Sequence, residues 1–359
     1  MRTITVDDIT VKYADSIGYA FMPCLLSAQG SSLKGIEIAL TMNGNSYTAH
    51  ADAYDGSVIV DYREYIQAFF DSVKFGEIDY KQNYHKSELG ATVTIIASAV
   101  KTDGSTVQVL SAETFYVWGA VRTGETWSGY RRLRWFKNYP FSFGVYADSA
   151  TKALIGFNGA PRVTINLNAK GMYELTSNLL DKNAEYSVIY RYDGEIKQAT
   201  FSNYFDLTFF LKAGEQSTLL RIDFDDATDG IYLRWVDRHG YYRYWLFTQG
   251  DEERAVSSSS DFIRNNLGAY DDTYGYYGAN GRRQSYERED TVALCAPLVD
   301  SDTFDMLQDL ASSPVVDMYM GNGRWQSVTI KAGSYSKTTA VLQDFVCSMV
   351  INDINIQQL

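Results

Sequence analysis

Turn dipeptides punctuate this chain, and the runs between them alternate apolar with polar residues. Asn43-Gly44, Asp55-Gly56, Asp103-Gly104, Asp193-Gly194 and His239-Gly240 each separate segments rich in Val, Ile, Thr, Tyr, Phe and Trp. Such a pair supplies the positive φ angles of a tight hairpin, which Gly adopts freely and Asn or Asp tolerate. The pattern predicts a mainly β protein: two or more antiparallel sandwich-like or barrel-like domains with one or two short helices.

Length and composition narrow this further. At 359 residues the chain exceeds one ordinary domain, since domains of about 100–200 residues imply two or three. Hydrophobic residues at 45% against 21% charged describe a folded chain. The 28 tyrosines suit strands, where the ring covers a pleated surface and the hydroxyl stays wet. A formal charge of −12 argues against nucleic acid or an anionic membrane as partner, because both require a basic surface. Arg131, Arg132, Arg134 and Lys137 form a local basic run, which strand alternation would place on a solvated face.

The cysteines Cys24, Cys295 and Cys347 are odd in number, far apart and set among apolar neighbours, as buried free thiols are. The first residues carry no apolar signal core, and no run approaches the ~18 apolar residues of a membrane span. The expectation is a soluble product made in a cytoplasm, with no membrane insertion.

Residues 1–120 read as an N-terminal β-sandwich. Its strand candidates are Phe21–Leu26, Gly35–Met42, Ser46–Ala53, Ser57–Val60, Ala91–Val100 and Ser105–Leu110. Within it, residues 61–73 are predicted to be a helix. Tyr62, Tyr65, Ile66, Phe69, Phe70 and Val73 share one face, with Asp61 as N-cap and Glu64 as its capping-box partner. That aromatic stripe reads as core and not as a ligand site.

Residues 121–359 form the larger β portion. It includes hairpins at Tyr186–Tyr192 with Glu195–Phe201 and at Ile231–Asp237 with Tyr241–Phe247. Residues 250–290 break the pattern. Ser257 to Ser260 and then a Tyr/Gly-rich stretch predict a long excursion or exposed flap, which also offers a sub-boundary. A helix over Asp302–Ala311, a hairpin over Gly321-Asn322-Gly323 and closing strands within Thr338–Ile356 complete the reading.

Tests for chemistry return little. The three histidines, His50, His85 and His239, lie in a strand, a polar loop and a turn, and no G-x-S-x-G elbow accompanies them. No C-x-x-C or H-x-x-x-H spacing points to zinc. The acidic run Asp223, Asp225, Asp226 and Asp229 places two carboxylates as a calcium loop would. Ala227, Thr228 and Arg234 then occupy positions where such a loop needs a ligand, a Gly and a Glu. It reads as an acidic turn or an irregular Ca²⁺ site. The expectation is a protein that is not an enzyme, with no cofactor.

Tyr270, Tyr274, Tyr276 and Tyr277 are the candidate interaction residues. Rigid rings among Gly, Asn and Asp serve loop-borne recognition, and three readings stand: subunit contact, plain loop packing, or a glycan or receptor site.

Three segments carry a resemblance. Gly129-Tyr130-Arg131-Arg132-Leu133-Arg134-Trp135-Phe136-Lys137-Asn138-Tyr139-Pro140-Phe141 is similar to a stretch of uncharacterised virion proteins from tailed phages and prophages of gut Bacteroidales. So are Tyr232 to Gly240 with Tyr244-Trp245 after it, and Leu310 to Pro314 leading to Trp325. The resemblance covers about 120–359. It implies a β-rich tail or baseplate component, a structural virion protein made in the bacterial host cytoplasm. It would assemble with itself, as a ring, and with other virion proteins. The alternative is a carbohydrate- or receptor-binding module at the tail tip that meets a host surface glycan.

Overall fold

In the computed structural model the chain is mainly β, with two α-helices and one 3-10 turn among the described residues. The description covers residues 1–351, apart from 123–124, 126–128, 159, 185–186, 201–203, 213–214, 264–269, 274 and 277–280. Two compact units emerge: residues 1–228 with 235–244, and residues 229–234 with 245–359.

The first unit opens with a four-stranded sheet ordered Arg2–Val6, Ile9–Tyr13, Leu25–Gln29, Ser57–Asp61. A five-stranded one follows, ordered Gly18–Tyr19, Thr106–Val117, Gly90–Lys101, Leu33–Met42, Asn45–Asp52. Alternation produces their core. Along Leu33–Met42, Ile36, Ile38 and Leu40 are fully buried while Lys34, Glu37 and Thr41 face water. The predicted Phe21–Leu26 strand sits further on, at Leu25–Gln29. Pro23 has no N–H for a ladder, and Met22 instead closes a turn onto the Tyr19 carbonyl.

The first helix is shorter than the predicted 61–73, spanning Arg63–Phe69. Tyr62, not Asp61, is its N-cap residue. The Asp61 carboxylate accepts from the Arg63 and Cys24 amides, each at 3.0 Å, and so ties the helix start to a neighbouring segment. The aromatic stripe is core, with Tyr62, Ile66, Phe69 and Phe70 all buried. Tyr62 and Tyr116 share a buried hydroxyl contact of 2.8 Å.

Three further sheets complete this unit. One is ordered Arg132–Phe136, Glu215–Asp225, Tyr204–Lys212, Thr151–Phe157, Ala160–Leu167; a second Ser142–Ala147, Gly171–Thr176, Tyr84–Lys86; and the third is the Ser187–Tyr192/Glu195–Thr200 hairpin. Pairing in the sheets of this unit is antiparallel with two exceptions among the described strands. Gly18–Tyr19 runs parallel to Tyr116–Val117, and Arg132–Phe136 runs parallel to Arg221–Asp225.

Two sheets remain, the two-stranded Tyr270–Asp271/Gly275–Tyr276 and a seven-stranded one in the order Trp325–Ser327, Val316–Tyr319, Ile231–Val236, Tyr242–Ile263, Gly281–Val299, Gln343–Ile351, Thr329–Ile330. A helix at Ser301–Ser312 follows its fifth strand. Asp300 caps that helix by accepting from the Thr303 amide at 2.8 Å, and Phe304, Leu307 and Leu310 are buried. The predicted 250–290 flap is largely strand instead. Thr248 to Ser257 are exposed without alternation, so the segment lacks the period of a half-buried strand although its backbone is paired.

Candidate functional site

Folding brings the acidic and basic runs of the sequence together. The parallel register sets Arg132 beside Arg221, Arg134 beside Asp223 and Phe136 beside Asp225. Asp223 accepts from both Arg132 and Arg221, Arg134 lies 3.6 Å from Asp225, and Lys137 lies 2.5 Å from Asp226. Arg131, Arg132 and Arg134 lie on the exposed face that alternation predicts, and Arg132, Arg134 and Lys137 are paired with carboxylates there. The carboxylates of Asp223, Asp225 and Asp226 are engaged by cations; Asp229 belongs to the second unit.

Among the tyrosine candidates, Tyr270 and Tyr276 are register partners in a short two-stranded pairing, closed by a turn in which the Thr273 amide donates to Asp271. Tyr274 and Tyr277 lie outside the described residues.

A third constellation forms where the sequence showed only a turn. In Asp237-Arg238-His239-Gly240-Tyr241, the Asp237 Oδ1 accepts from the His239 amide at 3.0 Å and the Tyr241 amide at 2.9 Å. Its Oδ2 accepts from Arg243 Nε at 2.7 Å, and both side chains of this ion pair are buried. Gly240, at φ +79°, is packed so closely on Val117 and Trp118 that no side chain fits.

Glu125 closes the turn from outside. It takes a two-pronged bond from Arg238 at 2.7 and 2.9 Å, the Arg122 amide at 2.8 Å, and a 3.2 Å contact with His239 Nε2. Burial pushes the Glu125 carboxyl up, but these donors outweigh it and hold the group down at about 2. A carboxylate so fully engaged is a poor proton acceptor. Burial pushes the His239 imidazole down, against the opposing pull of Asp237 and Glu125.

A cavity of about 270 Å³ adjoins this turn within the first unit. Tyr19, Tyr130, Tyr146 and Tyr241 wall it with Leu133 and Leu207, and His239 and Arg243 supply its polar lining. The Arg243 guanidinium stands 4.8 Å from the Tyr130 ring centre and 5.4 Å from that of Tyr241. Ile17 and Leu219, each more than a third exposed, mark the mouth.

Gly144 lines the cavity too. A Cβ there would collide with the Tyr241 ring and come within 3.1 Å of Glu174 Oε1. Glu174, the strand partner of Gly144, accepts from Ser142 Oγ at 2.9 Å, while its Oε1 is buried without a hydrogen-bond partner. Burial raises its carboxyl to about 7 against the pull of Ser142 and Arg243.

Sequence reasoning missed this cluster because Glu125 and His239 are 114 residues apart. The available signal was charge in the wrong place: Arg234, Asp237, Arg238 and Arg243 interrupt a hairpin that is otherwise rich in Tyr, Trp and aliphatic residues.

No protein-family model matches this sequence, and no curated protein matches it. Among solved structures, the fibronectin(III)-like modules of Clostridium thermocellum CbhA align over 60% of this chain and 92% of theirs, at 9% identity and a TM-score of 0.18. A structure concerned with host cell surface retention of a 1.5-MDa bacterial ice-binding adhesin aligns over 96% of this chain and 98% of its own, at 10% identity and a TM-score of 0.18. Superpositions this loose support no functional argument.

Proposed function

We propose that this chain is a structural component of the tail or baseplate region of a phage or phage-like particle, working through protein–protein contacts. One feature carries the proposal: a β-ribbon that outruns its sheet. Tyr242–Ile263 pairs with Gly281–Val299 as far as Ile263 opposite Gly281. Among the described residues, Gln343–Ile351 flanks the second of these strands along Asp290–Val299. On the other side, Gly230, just before the six-residue Ile231–Val236 strand, packs on Phe247. Beyond Arg254 and Asp290, two strands continue with no third strand paired to them among the described residues.

A 22-residue strand is about 70 Å long at ~3.3 Å per residue. A two-stranded ribbon with open edges is marginal in water, and such edges serve to pair with another chain. The sequence resemblance to virion proteins supports the same reading, with the ribbon as the arm of a ring-forming protein.

Size-exclusion chromatography with light scattering tests it. The full chain runs as a discrete oligomer, and replacing 255–289 with an Asn-Gly turn between Arg254 and Asp290 yields a monomer of unchanged melting temperature. A strictly monomeric full chain that never joins particles would overturn the proposal.

The opposition of Tyr270 and Tyr276 favours a second reading, recognition of a host glycan or receptor at the ribbon tip. On a glycan array, the Tyr270→Ala/Tyr276→Ala variant then loses signal while the oligomer survives. An unchanged signal counts against it.

A further inference from the structure

The tyrosine-walled cavity of the first unit has the chemistry of a small-ligand site, separate from the assembly arm. Its size comes first. Small-molecule pockets begin near ~300 Å³, so about 270 Å³ admits one ring-sized ligand and not an extended chain.

The polar lining then selects among ring-sized ligands. Arg243 is 4% exposed, and only its Nε is bonded, to Asp237. The two Nη groups have no acceptor among the described residues. Leaving guanidinium donors buried and unmatched is unfavourable, so a purely apolar ligand fits poorly. An anionic ligand fits poorly too, because Asp237 already balances the guanidinium charge and Glu174 stands close behind Gly144. Further negative charge in this enclosed space would go uncompensated.

What remains is a neutral molecule that offers oxygen acceptors along one edge and an apolar face to the tyrosine rings. A sugar ring has both: hydroxyl and ring oxygens for Arg243, and a face of C–H bonds for Tyr130 and Tyr241. Glu174 Oε1, buried and unpartnered beside Gly144, adds a group able to bond a hydroxyl that reaches past that glycine. We infer that the cavity between Tyr19, Tyr130, Tyr146, Tyr241 and Arg243 binds a single neutral monosaccharide unit, entering past Ile17 and Leu219.

The test titrates the purified full chain with glucose, galactose, mannose, rhamnose, fucose and N-acetylglucosamine, using ligand-observed NMR, with benzoate and indole as competitors. At least one sugar binds, and Tyr130→Ala weakens it by roughly tenfold, the scale of one lost aromatic contact. Leu219→Trp, at an exposed position that leaves the core untouched, blocks entry and abolishes the signal while the melting temperature stays put. The inference fails if no sugar binds, if binding survives Leu219→Trp, or if benzoate or indole binds in preference to every sugar. The ribbon-tip variant Tyr270→Ala/Tyr276→Ala retains this binding; its loss would place the sugar at the tip instead.

Discussion

The strands Gly90–Lys101 and Tyr242–Ile263 are both long, and different forces hold them. The first has a paired strand on each edge, and Val93, Ile95, Ala97 and Ala99 are completely buried on one face. The second is buried from Tyr242 to Phe247 and then exposed on both faces from Thr248 to Ser257. Backbone pairing is continuous in each. What differs is apolar burial, worth roughly 25 cal/mol per Å², which supplies the first strand's stability and is missing from the ribbon. Regular hydrogen bonding therefore measures the geometry of a strand, and burial measures how firmly it is held.

Four substitutions probe that contrast, from the largest effect to the smallest. Asp237→Ala strands the buried Arg243 guanidinium and frees the His239 and Tyr241 amides, so chemical denaturation should show a loss of about 3–5 kcal/mol. Phe69→Ala opens a void in the N-terminal core and should cost about 3–4 kcal/mol by the same measurement.

Glu174→Gln acts through pH. Burial raises the Glu174 carboxyl from 4.5 to about 7, so between those values the folded chain holds a proton that the unfolded chain has released. Its contribution is intact below about pH 4.5, declines as pH rises towards 7, and then levels off. The total change is about 3 kcal/mol, at 1.36 kcal/mol per pKa unit. The Gln variant should lose this slope; melting curves from pH 4.5 to 8 that fall in parallel for both proteins would refute the assignment. Val256→Ala on the ribbon should change stability by no more than about 0.5 kcal/mol, and a larger loss in the isolated chain would show that the arm is already packed.

Legibility in the sequence followed the same divide. Where one face is buried, side chains announce the strand: Leu33–Met42 and Asn45–Asp52 meet at Asn43-Gly44, whose φ angles of 50° and 84° are those its residues favour. Asp103 and His239 did not need positive φ; only the glycines after them adopt it. The Ser301–Ser312 helix was readable because cap, stripe and stop all lie within a few turns.

The ribbon's strands were not legible as strands because Thr248 to Ser257 are exposed on both faces and so carry no period of two. The charge ladder and the Glu125–His239 contact escaped because they join residues about a hundred positions apart. Single-sequence patterns report on near neighbours only.

The parallel pairing of Arg132–Phe136 with Arg221–Asp225 also bears on synthesis. Asp223 follows Arg132 by 91 residues, which a ribosome adding about 5–20 residues per second needs some 5–18 s to make. For an interval of that length after it emerges from the ribosome, Trp135, wholly enclosed in the finished protein, lacks the strand that shelters it. A nascent chain of this kind is most prone to aggregate in that window, and slowing translation after Phe136 has emerged but before Asp225 has done so should lower its soluble yield more than the same delay placed later.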